Sequence, residues 1–267
     1  MDLKEVHEQI HTTGISRRHP WELARLEVVY ALSATYLHKP EGGGVQVLDI
    51  GCGDLFFCSN LAKKVKGAAI IAVDTALDQE ELLALNKQYS RDNIRVFQNL
   101  EDVTGSLQEA EVIFLLDVLE HIPDDAAFLE KLRLYPFITE NTVLVITTPA
   151  FQSLFSSHDV FLDHYRRYSS ESLSRVLKKS GFRILKNGYF FFSLLPVRLL
   201  QTVWEKLRPG AAQRSETDAA AWKGGLLSTR LFQNMLLLDY KISALLGRAG
   251  IRIAGLSTYA ICKRSAL

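Results

Sequence analysis

The densest chemical signal in the chain is VLDIGCGDLFF, Val47–Phe57, an apolar run that ends in an acid and turns on two glycines. Gly51 and Gly53 let a backbone approach a ligand closely, and the helix expected after them offers free N–H groups. Asp49 precedes the turn. Asp74 ends the next apolar run, about twenty residues on, where a carboxylate accepts hydrogen bonds from ribose hydroxyls. A dinucleotide fingerprint wants a third small residue three positions after the second glycine. Phe56 stands there instead, and Asp49 would repel a pyrophosphate. The pattern suits a nucleoside that carries an ammonium and a sulfonium.

A second group lies in TTPAFQSLFSSHDVFLDHYRRYSSESL, Thr147–Leu173. His158 or His164 is a candidate general base, because an imidazole with a pKa near ~6.5 removes protons at neutral pH. The competing reading is structural: His158, Asp159, His164 and Arg166 form a polar network that closes the loop.

These residues need a scaffold. VQVLDI, AIIAVD, IRVFQN, EVIFLLD and TVLVITTP are short runs rich in β-branched and apolar residues, separated by helix-like segments at Leu55–Val65, Gln79–Tyr89 and Asp124–Leu134. That alternation predicts βαβ units and a mostly parallel sheet covered on both faces, with ligands at the strand C-termini. Trp21–Leu37 has helical spacing behind Pro20. A helix over Ser170–Ser180 ends at Gly181, RILKNGYFFF (183–192) reads as a strand, and GLSTYAICKR is the last strand. Phe190, Phe191 and Phe192 read as strand core.

Roughly sixty residues separate those last two strands, far more than an ordinary connection. Arg208 through Gly225 reads as a loop. Leu226–Leu246 reads as a helix that packs on the core, or acts as a lid over an apolar substrate, or touches a membrane surface. Tyr189–Leu207 is a second candidate for membrane contact, with Arg198, Lys206 and Arg208 at headgroup level and Leu195, Leu199 and Trp204 below.

Composition narrows the function. Thirty-one Lys+Arg against thirty Asp+Glu leave a net charge of +1, with 48% hydrophobic and 23% charged residues. These values describe an ordinary globular protein, and the charge balance argues against nucleic acid as a partner. Cys52, Cys58 and Cys262 are too few and too scattered for a disulfide framework, which points to a reducing, cytoplasmic setting. The first residues lack the apolar region of a signal peptide. His7, His11 and His38 read as surface residues.

Taken in order, VLDIGCGD, the AVD of Asp74, VFQNLED and FLLDVLEHIPDD resemble the successive motifs of class I S-adenosylmethionine-dependent methyltransferases, from about Trp21 to Phe182. The PA…HD…HYRRY stretch is similar to a bacterial group that acts on lipid, glycan or polyketide-like products. The resemblance implies an α/β, Rossmann-like sheet of seven strands, mostly parallel with the last antiparallel. The expected parts are an N-terminal helical segment (1–44), the cofactor-binding core (45–192), a helical insertion or lid (193–254) and the C-terminal strand (255–267).

By the same resemblance, Asp49, Gly51 and Gly53 hold the methionine part of S-adenosylmethionine, and Asp74, with Thr75 beside it, holds the ribose. Asn99 stands where relatives often carry an aspartate facing the adenine amino group, and Leu100 matches a neighbouring backbone contact. Asp117 lies near the methionine moiety. Arg25 reads either as the arginine that reaches the cofactor carboxylate in some relatives or as a solvated helix charge. Asp117, Glu120 and His121 are similar to the E-x-x-E-H set that holds a divalent ion in ubiquinone-pathway and small-RNA methyltransferases. His158 or His164 would complete that shell. The alternative is a cofactor contact and a capped loop. The implied activity is methyl transfer to oxygen or carbon of an apolar small-molecule or lipid-linked acceptor, for example an aryl-polyene or polyketide-like product. A non-catalytic cofactor-binding or regulatory protein on the same fold is the alternative.

Overall fold

The structure, a computed structural model, describes residues 18–38, 44–207, 222 and 224–265. His7, His11 and nearly all of the expected loop at 208–225 lie outside the described residues.

Seven strands form one sheet: β1 (Gln46–Ile50), β2 (Ala69–Val73), β3 (Ile94–Phe97), β4 (Val112–Leu116), β5 (Val143–Pro149), β6 (Phe182–Phe190) and β7 (Ser257–Arg264). Their order is β3-β2-β1-β4-β5-β7-β6. β1 pairs in parallel with β2 and β4, whereas β7 runs antiparallel to both β5 and β6. The chain therefore reverses its direction of strand addition at β1, and a crevice opens beside the C-terminal ends of β1 and β4.

Residue alternation explains how the sheet is buried on both faces. In β4, Val112, Phe114 and Leu116 enter one core cluster while Ile113 and Leu115 enter the other. The first face is covered by α1 (Pro20–Ser33) through Ala24, Val28 and Val29, by α2 (Phe56–Lys64) through Cys58 and Leu61, and by the flank of α3 (Gln79–Tyr89). The second face receives Leu129 and Leu132 of α5 (Asp125–Arg133) and Leu173 and Leu177 of α7 (Ser170–Lys179). Between these lie two short helices, α4 (Leu100–Val103) and α6 (Ser157–Phe161). Phe114 is fully buried at the centre, so truncating it to Ala costs about 3–5 kcal/mol.

The strand expected over 183–192 stops at Phe190. Phe191 turns into the left-handed region at φ 65°, and Phe192 opens a tight turn. Both effects take the chain out of the sheet and send it toward the crevice. Among the described residues two helices follow, α8 (Leu195–Leu207) and α9 (Leu226–Arg248). α9 packs along α1, with Leu236 in the core. Among the described residues no helix is long and apolar enough to cross a membrane.

Candidate active site

One cavity of about 1240 Å³ occupies the crevice. Every residue singled out for chemistry lines it: Arg25, Asp49, Gly51, Gly53, Asp74, Thr75, Asn99, Leu100, Asp117, Glu120, His121, His158 and His164.

The glycine turn is fixed by backbone bonds. Gly51 N donates to Val73 O at 2.8 Å and Gly53 N to the Asp74 carboxylate at 2.8 Å. The second oxygen of Asp74 accepts from Ala76 N at 3.0 Å. Gly51 sits at φ +75°, and a Cβ there would lie 2.5 Å from Val118 Cγ2. Only glycine fits that position without strain and without displacing the loop after β4. Leu55, at φ 61°, ends the turn and opens α2.

Asp49 is buried beneath the turn. Burial raises its carboxyl to about 6, against the effect of the Cys58 thiol, which donates at 3.0 Å. Burial also holds that thiol well above its ordinary value, so it stays protonated. Asp117 lies at φ 58° just past β4, accepts from Thr147 Oγ1 at 3.0 Å and pairs with Arg25. Arg25 is thus turned into the cavity, with 12% of its side chain exposed, and is no solvated helix charge. Its helix begins with a reciprocal cap: His19 Nδ1 accepts from Trp21 N and Glu22 from His19 N. Asn99 ends the β3 loop at the N-terminus of α4, its amide 3.3 Å from Asp102.

The other end of the cavity is held by side chains. Asp159, fully buried, accepts from His164 Nδ1 at 2.9 Å and Arg167 Nε at 2.7 Å, and from Ser156 N at 2.9 Å. Burial opposes its charge, but the bonds from His164 and Arg167 outweigh that and hold the carboxyl below its ordinary range. An ionised Asp159 fixes the Nδ1–H tautomer of His164 and leaves Nε2 as the basic atom. His158 also faces the cavity, its pKa lowered by burial and by Arg198. The network uses Arg167, not Arg166: Arg166 leaves the loop and pairs with Asp125 at 3.0 Å.

Sequence reasoning missed Arg198. It was expected at a membrane surface but points inward from α8, bonded to Ser156 and 3.8 Å from Asp159. Lys206 likewise is drawn to Ser153 O. The pattern that would have placed Arg198 inside is the neighbouring Thr202, buried one turn later. Leu194, Leu200 and Trp204 give the cavity an apolar wall beside Arg198, whereas none of its lining comes from α9.

Glu120, His121 and His164 bring ligand atoms within 4.8 Å of one another. Asp117 is not in this group, because Arg25 and Thr147 take its oxygens. Both carboxylate oxygens of Glu120 are buried without a hydrogen bond, and burial pushes its pKa up to about 8. The His121 and His164 rings meet edge to face at 4.6 Å.

Comparison with known proteins agrees with this geometry. A methyltransferase domain family matches residues 23–187, more than half of the chain. The ubiquinone biosynthesis O-methyltransferase of Bradyrhizobium diazoefficiens is 27% identical over 108 residues, 40% of either protein. That of Rickettsia typhi is 24% identical over 123 residues, 46% of this chain and 48% of the relative. The chain thus matches less than half the length of these relatives. Among solved structures, a candidate sarcosine dimethylglycine methyltransferase from Galdieria sulphuraria shares the fold over 98% of both chains, at 17% identity and a TM-score of 0.59. Coclaurine N-methyltransferase, solved with N-methylheliamine and SAH, covers 91% of this chain and 70% of its own at 15% identity and 0.52. The cyclase SpnF reaches 0.54 at 14% identity over 95% of this chain and 85% of its own, so the fold alone does not name a reaction. The family match over more than half of the chain, on a sheet whose strand ends carry the glycine turn and Asp49, makes the chain a member of the methyltransferase domain family.

Proposed function

We propose that the protein methylates a hydroxyl of an apolar small-molecule or lipid-linked acceptor, with His164 as general base. The observation that carries this reading is the 2.9 Å bond between Asp159 and His164, whose imidazole lines the same cavity as the glycine turn. S-adenosylmethionine, when bound, supplies an electrophilic methyl group on a sulfonium. Gly51, Gly53, Asp49 and Arg25 are suited to its methionine end, and Asp74 with Thr75 to its ribose. Asn99 and Leu100 are suited to its adenine, and Asp117 holds Arg25 in place. The acids at this end favour a cationic ligand. His164 Nε2 takes the hydroxyl proton as the oxygen acquires the methyl group and the carbon–sulfur bond breaks to leave a neutral thioether, and Asp159 stabilises the resulting imidazolium. Proximity carries most of the acceleration, up to ~7–11 kcal/mol in favourable systems. His158 is the second candidate base.

The apolar wall of Leu194, Leu200 and Trp204 supports an acceptor with a large apolar part, and α8 serves as its cover. The named relatives act in ubiquinone biosynthesis as O-methyltransferases, which supports oxygen over carbon. An aryl-polyene or polyketide-like acceptor falls in the same chemical class. The test uses S-adenosylmethionine with a labelled methyl group and cell extracts split into organic and aqueous fractions. Label enters an organic-phase small molecule with the wild type and falls by about 10²–10⁴-fold with His164→Ala. Cofactor binding without transfer to any fraction would favour the non-catalytic alternative.

A second reading rests on Glu120. Its unpartnered carboxylate beside His121 and His164 has the donor set of a divalent-cation site. A cation held by these three would bind acceptor oxygens and lower a hydroxyl pKa, in place of the base. Activity lost on chelation, restored by magnesium, manganese or zinc, and absent in a folded Glu120→Ala variant favours this reading. Full activity after chelation removes it.

A further inference from the structure

The two faces of α9 have different surroundings. One face lies against α1 and the turn after β6: Leu236 is buried, and Asp239 accepts from Phe192 N at 3.1 Å and Ser193 N at 2.7 Å. The opposite face carries Leu227, Leu231, Met235, Leu238, Ile242 and Leu245, exposed by 85, 70, 40, 58, 38 and 65%. On a helix of 3.6 residues per turn these six side chains share an arc of roughly 80°. Monomeric proteins seldom leave an apolar stripe of this length in water without a use.

The charges beside the stripe have one sign. Arg230, Lys241 and Arg248 are exposed and fall along a single edge of it. The helix contains one acid, Asp239, and that acid is buried and committed to the backbone of Phe192 and Ser193. An apolar stripe with a cationic fringe matches an anionic lipid surface: the leucines enter the acyl boundary while the long cations stay at the phosphates. A second copy of the helix fits less well. The alternation of four- and three-residue steps from Leu231 to Leu245 resembles a helix-pairing seam, but an antiparallel two-fold pairing would set the two cationic edges side by side.

We propose that α9 docks the protein on an anionic membrane surface through this stripe, with Arg230, Lys241 and Arg248 at the headgroups. The contact expected on Tyr189–Leu207 therefore moves to α9, since Arg198 and Lys206 of α8 are engaged within the protein. The inference does not depend on the identity of the acceptor or of the base.

The experiment is flotation of the full chain with phosphatidylcholine vesicles containing about 30% phosphatidylglycerol, and with phosphatidylcholine alone, at low salt. The wild type floats with the anionic vesicles only and is released at about 0.5 M salt. Lys241→Glu with Arg248→Glu lowers the bound fraction by at least about tenfold. Leu238→Gln with Ile242→Gln abolishes flotation. Both double variants keep the wild-type circular dichroism and S-adenosylhomocysteine binding, which separates lost docking from lost fold. A wild type that stays unbound at low salt, or flotation that survives both double variants, overturns the proposal. So does a dimer in sedimentation equilibrium that dissociates in Leu238→Gln with Ile242→Gln.

Discussion

The two ends of the cavity are built from different material. At the end proposed for the cofactor, position is set by backbone: Gly51 and Gly53 at positive φ, the ends of β1 and β2, and amide donors on Asp74. At the acceptor end it is set by side chains that cross between segments, with Asp159 gathering His164 and Arg167 while Arg198 approaches from α8. A backbone-built end is most sensitive to a side chain placed on its glycines, and its failure shows in binding. A side-chain-built end fails one residue at a time and in the chemical step.

The largest effect should come from the acceptor end. His164→Ala lowers turnover by about 10²–10⁴-fold with cofactor affinity nearly unchanged. Asp159→Asn lowers it by a similar factor, because it frees the imidazole tautomer, and the loss shows in kcat while S-adenosylmethionine titration stays intact. If Asp159→Asn lowered cofactor affinity and turnover equally, the two ends would not be separable as described.

At the cofactor end, Asp74→Ala removes two backbone bonds and the proposed ribose acceptor. Hydrogen bonds to a charged group contribute about 1.5–3 kcal/mol, so affinity for S-adenosylhomocysteine falls about 10- to 100-fold by calorimetry. Turnover at saturating cofactor should then recover, in contrast to His164→Ala.

The last effect is on stability and not on binding or turnover. Glu120 has a folded-state pKa of about 8 against an ordinary 4.5. Below 4.5 both states are protonated and the group is neutral in the balance. As pH rises from there toward 8, only the unfolded state ionises, and the protein loses stability. The loss at pH 7 is on the order of 3 kcal/mol. Urea midpoints at pH 5 and pH 7.5 should therefore differ less in Glu120→Gln than in the wild type. Equal pH dependence would show that Glu120 is ionised in the folded protein.

The same contrast explains what could be read from the sequence. The glycine turn, Asp49 and Asp74 were legible because strand, turn and helix are contiguous and each residue type is forced by local geometry. The sheet was legible because β4 and its neighbours are apolar on both faces. The acceptor network was harder. Arg166 and Arg167 are adjacent and identical in type, and an irregular loop has no period to say which one turns inward. Arg198 sits some thirty residues beyond the loop it joins, on a helix whose apolar residues mask the inward side. α9 presents leucines on both faces, Leu236 within and the exposed stripe without, so its spacing identified a helix without telling which face the core takes.

The most direct test of the account is calorimetric titration of S-adenosylhomocysteine into the wild type and into Gly51→Val, with folding of the variant checked by circular dichroism. The side chain would meet Val118 within 2.5 Å of its own Cβ and force the turn from φ +75°. Saturable one-to-one binding is expected for the wild type and none measurable for the folded variant. Binding of equal affinity in a folded Gly51→Val would contradict the assignment of the glycine turn as the cofactor site.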